Sequence, residues 1–128
     1  MKGGSWVLIT AISGGAVLGA LLRFWTQRLL NSSMTAPLGT LLVNVAGSFV
    51  LGIFVSALKD RISPSLFDAI TAGFCGSLTT FSAIAMESFQ MFRIGEPIRA
   101  SIYVFLTLMT GVGSFMVGQW IGNKVCES

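Results

Sequence analysis

Four long apolar stretches set the pattern of this chain, at about residues 6–25, 38–58, 66–92 and 98–121. Each is long enough to cross a bilayer as a helix, which takes roughly 20 mostly apolar residues. Short polar punctuation separates them: Asn31-Ser32-Ser33 before Pro37, then Lys59-Asp60-Arg61 with Ser63-Pro64, then Arg93, Gly95, Glu96 and Pro97. A proline directly after polar residues suits the first turn of a helix, where its missing N–H costs nothing. The first stretch is too long for the apolar core of a leader peptide, and no small-x-small cleavage site follows it, so it reads as a span. The expected fold is all-α and integral to the membrane, with one transmembrane domain over residues 1–128 and a polar, loose tail from Asn123 to Ser128.

Polar residues inside these stretches fall at helical spacing. Thr40, Asn44 and Ser48 lie at i, i+4 and i+8, with Gly47 beside them. Tyr103, Thr107, Thr110 and Ser114 share one face of the fourth stretch. An asparagine in the middle of a span is costly unless it meets a polar partner or a water-filled path. The stripes are therefore either glue between helices or the wall of a pathway. Gly15 with Gly19, and Gly118 with Gly122, repeat the spacing that lets two helices approach closely, although such pairs are common in membrane helices.

The third stretch breaks its own pattern. Between Gly73 and Glu87 it reads GFCGSLTTFSAIAME, with two glycines and a Ser-Leu-Thr-Thr run before a phenylalanine. These are poor helix formers. An unpaired backbone group at membrane depth costs several kcal/mol, so a broken helix survives only where protein or an ion satisfies it. The spacing predicts a break over residues 76–80; the alternative is an unbroken helix with a tightly packed small-residue patch.

Composition agrees with a membrane protein, at 53% hydrophobic and 10% charged. The chain has no histidine, which excludes imidazole catalysis and histidine-ligated metal. Cys75 and Cys126 form no metal-binding spacing, and no nucleophile–base pair is visible, so no enzyme is expected. The basic residues are spread over both ends of the spans, which argues against a nucleic-acid partner. With four spans, Lys2, Lys59, Arg61 and Lys124 fall on one side and Arg23, Arg28, Arg93 and Arg99 on the other. Four against four gives no preferred orientation. Two copies inserted in opposite senses could pair around an axis in the membrane plane, with their broken third spans face to face and freed carbonyls around a cation. Single-sided labelling of every loop would exclude that pairing.

GTLLVNVAGSFVLG in the second stretch and GFCGSLTTFS in the third, in a four-span chain with balanced charge, resemble the bacterial fluoride channels of the CrcB/Fluc family over nearly the whole length. The resemblance implies a multi-pass protein of the bacterial inner membrane that exports fluoride passively. It implies an antiparallel dual-topology homodimer with two pores. It also implies a structural sodium ion held at the dimer centre by the backbone carbonyls of Gly76 and Thr79. Carried onto this chain, Asn44 lines the pore with Thr40 and Ser82, and Phe81 offers a ring edge to the anion. Tyr103 and Thr107, with Thr110 and Ser114, supply a hydroxyl track, and Arg23 and Glu87 stand in the vestibule. One position departs: Ile84 stands where the family has its second pore phenylalanine. Either the chain conducts with one aromatic per side, or the position is a deliberate replacement of a phenylalanine, and the second reading is preferred. Fluoride throughput is expected to be reduced or altered, with fold and sodium site kept.

The chemistry suits a small, strongly hydrated anion. A narrow pore must replace its water with hydrogen-bond donors, and amide and hydroxyl groups are neutral donors. Neutral donors bind without trapping, which conduction requires. A phenylalanine edge carries partial positive charge, although the usual fate of a membrane phenylalanine is packing. Two rivals remain at this level. A small proton-coupled multidrug exporter would need an embedded carboxylate, typically in the first span, and none precedes Arg23 there. A non-transport scaffold would use glycine pairs and polar stripes for assembly alone.

Overall fold

The computed structural model describes residues 4–31 and 37–127. Helix α1 covers Gly4–Leu30 and α2 covers Leu38–Ala57. The third span, Pro64–Arg93, is built in pieces: α3 over Pro64–Asp68, a π-helical stretch over Ala69–Cys75, α4 over Gly76–Leu78 and α5 over Phe81–Arg93. Helix α6 runs over Pro97–Glu127. Four helices of the described residues are long and apolar enough to cross a membrane. Lys2 and the Ser32-Ser33 part of the first loop lie outside the described residues.

Local chemistry sets the ends of these elements. Ser63 caps α3, its hydroxyl accepting from the Leu66 N–H at 3.4 Å, with Pro64 in the first turn. The turn from α5 to α6 places Gly95 at φ +85°, a conformation that favours glycine. There the Gly95 N–H reaches the Phe92 carbonyl at 3.1 Å and the Glu96 N–H reaches the Met91 carbonyl at 2.9 Å, the Schellman pattern.

The third span is broken, but more narrowly than the predicted 76–80. Gly76 keeps helical angles (φ −63°, ψ −32°), whereas Thr79 (φ −79°, ψ 151°) and Thr80 (φ −150°, ψ 117°) are extended. Two adjacent β-branched residues accept extended backbone more readily than they accept a helix, so the break falls on them and not on the glycine. The widened π turn that precedes it was not foreseen.

Packing is inside out relative to a soluble protein. Leu18, Leu29, Phe105 and Ile98 are exposed, while Thr40, Asn44, Thr80, Glu87, Ser88 and Thr107 are buried. Lipid tails solvate the outer side chains, and small residues let the helices close on one another. Helix α1 packs on the π stretch and α2 packs along α6. A Cβ at Gly15 or Gly19 would strike the Ala69 or Phe74 carbonyl, and one at Gly118 would strike the Phe49 carbonyl. The expected loose tail is instead helical through Glu127. Arg61 donates to the Cys126 carbonyl at 3.3 Å, and the Lys124 ammonium lies 4.0 Å from the Trp120 ring centre. These contacts extend α6 beyond its apolar run.

Gly118→Ala forces the α2–α6 seam apart and is expected to destabilise the protein by about 1–3 kcal/mol. Gly113→Ala, where an added Cβ meets nothing within 4 Å, is expected to be neutral or stabilising by up to about 1 kcal/mol. Thermal unfolding of both variants in one detergent checks the contrast.

Candidate functional site

The site begins at the break. The Asn44 side chain pairs with both backbone groups of Thr80: its Oδ1 accepts from the Thr80 N–H at 2.7 Å, and its Nδ2 donates to the Thr80 carbonyl at 3.2 Å. The side-chain amide thus stands in for a neighbouring peptide. Thr80 also caps α5, its hydroxyl accepting from the Ala83 N–H at 3.2 Å and lying 3.1 Å from the Ser82 hydroxyl. Gly47 makes room for this, since a Cβ there would press on the Thr79 methyl.

These two diversions free two carbonyls. In an α-helix the Thr80 N–H would bond the Gly76 carbonyl and the Ala83 N–H would bond the Thr79 carbonyl. Here both N–H groups go elsewhere, to Asn44 and to the Thr80 hydroxyl. Gly76 itself is exposed, with only the Thr71 carbonyl, at 3.7 Å, near an added Cβ. Carbonyl oxygens of this kind suit a hard cation. Among the described residues no group of acidic or cysteine side chains could hold a metal.

A cavity of about 260 Å³ opens beside the break. Its wall includes Asn44, Ser48, Thr79, Thr80, Phe81, Ile84, Thr107 and Gly111. No charged side chain lines it. Ile84 is 5% exposed and turned inward, whereas Phe81, at the edge of the cavity, is 70% exposed. Thr107 is buried, its hydroxyl bonded to the Tyr103 carbonyl at 2.8 Å. Thr110 is exposed and bonds the Leu106 carbonyl at 2.6 Å; it and Ser114 lie outside this cavity wall. A second hollow across the break is lined by Arg23, Gln27, Thr80, Ser82, Ala83 and Met86.

A second polar cluster surrounds Glu87, which is 7% exposed. Thr40 donates to Oε1 at 2.6 Å, Asn31 donates to Oε1 at 3.1 Å, and Tyr103 donates to Oε2 at 2.7 Å. Gln27 and Asn31 both donate to the Thr40 hydroxyl, at 2.9 and 3.1 Å. Four spans meet there: α1, α2, α5 and α6. Asn44, Thr80, Phe81 and Ile84 come together at the break, and Thr40, Glu87 and Tyr103 come together here. Gln27, Asn31 and Thr80 were not among the expected site residues. The signal for the first two was available: Arg23, Gln27 and Asn31 repeat the i, i+4, i+8 spacing on α1.

Four apolar helices, one of them broken, around a polar uncharged cavity define an integral, multi-pass membrane protein. The CrcB-like protein family (Camphor Resistance, CrcB) matches residues 10–119, and this chain belongs to it. It is 37% identical over 122 residues to the fluoride-specific ion channel FluC of Leptospira interrogans serogroup Icterohaemorrhagiae serovar copenhageni, covering 90% of this chain and 92% of the relative. It is 37% identical over 119 residues to the fluoride-specific ion channel FluC 2 of Rhodococcus jostii, covering 93% and 96%. With the corresponding protein of Methanopyrus kandleri the identity is 35% over 119 residues.

Replacing Asn44 by leucine leaves the Thr80 N–H and carbonyl without partners. The expected cost is about 1–3 kcal/mol for each group, with faster hydrogen exchange at the Thr80 amide. Amide exchange by mass spectrometry over the 76–83 segment measures it.

Proposed function

We propose that this chain is a passive fluoride channel. The observation that carries the proposal is its family membership: relatives named fluoride-specific ion channels align with it over nine-tenths of both chains. The geometry supports it. An anion entering the cavity meets amide and hydroxyl groups and no fixed charge, so it exchanges water for donors without being held. The proton-coupled exporter is not favoured, because α1 carries no acidic residue.

In this reading Asn44 both clasps the break and presents its remaining N–H to the ion. Ser82 adds a hydroxyl along the path; Thr107, Thr40 and Tyr103 towards the Glu87 end, and Thr110 with Ser114 towards the other, join it when an ion draws their protons from the acceptors that Thr107, Thr40, Tyr103 and Thr110 bond at rest. Arg23 draws anions towards the hollow it shares with Ser82 and Thr80. Phe81, exposed at the cavity edge, serves a pore shared with a second copy. The second copy is antiparallel, which equal charge at the two ends of the spans permits. The Gly76 and Thr79 carbonyls of both copies would then hold a sodium ion, whose contribution is structural: it satisfies carbonyls that the break has deprived of helix partners. The chain resides in a bacterial inner membrane, where the channel relieves fluoride load.

Two outcomes follow for fluoride-loaded liposomes monitored with a fluoride electrode. Asn44→Asp keeps the acceptor for the Thr80 N–H but loses the donor and adds like charge, so efflux stops; undiminished efflux removes Asn44 from the pore. Ile84→Phe supplies a second ring edge in the same cavity and raises efflux roughly two- to tenfold, the range for an aromatic contact of about 0.5–1.5 kcal/mol.

A further inference from the structure

Asn31 ends α1, and its amide is oriented without ambiguity. The Gly39 N–H, at the start of α2, donates to Asn31 Oδ1 at 2.7 Å. A backbone N–H can only donate, so the oxygen of the amide faces Gly39 and its nitrogen faces the other way. Nδ2 then donates towards both the Thr40 hydroxyl and Glu87 Oε1, each at 3.1 Å. The Thr40 oxygen already receives Gln27 and Asn31, so its own proton points to Glu87. Proton directions therefore run one way, from a fixed peptide N–H at the α2 start to a buried carboxylate. Among the described residues no cation is in ion-pair contact with Glu87; Arg99 pairs instead with Glu96.

We propose that Asn31 is a positioning residue: its amide fork pins the Glu87 carboxylate against α2 and α6 and keeps that negative charge from swinging into the anion path. This rests on the fluoride-channel reading. With the fork gone, Glu87 Oε1 keeps only Thr40, whose hydroxyl is no longer aimed by two donors. The carboxylate, held then by Thr40 and Tyr103 alone, gains room to turn towards the anion path.

Asn31→Asp separates this role from simple capping. Aspartate still accepts from the Gly39 N–H but presents an acceptor where the fork donated, opposite Glu87. Wild type, Asn31→Asp, Glu87→Gln and the double variant are compared for fluoride efflux from liposomes, with Asn31→Ala run alongside in the same backgrounds. Expected is at least a tenfold loss for Asn31→Asp in the native background, about 1.4 kcal/mol. In the Glu87→Gln background, where no charge remains to be restrained, the change stays within about twofold. Native efflux by Asn31→Asp, or an equal fold loss in both backgrounds, overturns the proposal while leaving the channel reading intact. Absence of wild-type efflux would instead count against the channel reading. A second readout covers that case. Tyr103, the chain's one tyrosine, donates to Glu87, so the tyrosine Raman bands that report phenol hydrogen bonding shift in Asn31→Asp if Asn31 holds the carboxylate. Unshifted bands overturn the proposal independently of transport.

Discussion

The structure depends on one amide pairing with one peptide. At membrane depth no water is available to receive the Thr80 N–H and carbonyl, and each left bare would cost several kcal/mol. Asn44 meets both, and that is why an extended pair of threonines can persist inside an otherwise helical span. The polar side chain and the break explain each other: an asparagine in the middle of α2 is costly without a partner, and the break is costly without the asparagine.

The remaining architecture serves that pairing. Glycines at the α1–π and α2–α6 seams let backbones close to contact, and Gly47 lets α2 close on Thr79, which brings Asn44 within reach of Thr80. The interior that results is small, polar and almost free of charge. The exception, Glu87, is embedded among three donors from three different helices. The uncharged cavity wall at Phe81 and Ile84 and the Glu87 carboxylate lie within two turns of each other along α5.

Much of this was legible in the sequence because the bilayer simplifies the grammar. Length and apolarity marked the four spans, and the Ser-Leu-Thr-Thr run marked the interruption. The stripe through Thr40, Asn44 and Ser48 marked the face that turns inward. What stayed hidden depends on partners distant in sequence. The threonine pair leans locally towards extended backbone, but what lets Thr80 leave the helix at membrane depth is Asn44, thirty-six residues earlier. Asn31 read as a loop residue, since its three helix-bridging contacts, to Gly39, Thr40 and Glu87, form only once α1, α2 and α5 are packed. Along the hydroxyl stripe on α6, Tyr103 turns to Glu87, while Thr107, in the cavity wall, and Thr110, outside it, both bond their own helix backbone. Equal spacing does not mean equal employment.

The π turn over Ala69–Cys75 carries a consequence of its own. A coil closed by i→i+5 bonds accommodates an additional residue within nearly the same rise, and such bulges are rare and local. Everything downstream is thereby rotated about the span axis relative to α3. Shortening this segment by a single residue would relax the coil to ordinary pitch and turn α4 and the threonines to a different compass bearing. The membrane anchorage would hardly change. For a lineage of such proteins, this is the place where an insertion or deletion redirects the pore without uprooting the helix that carries it.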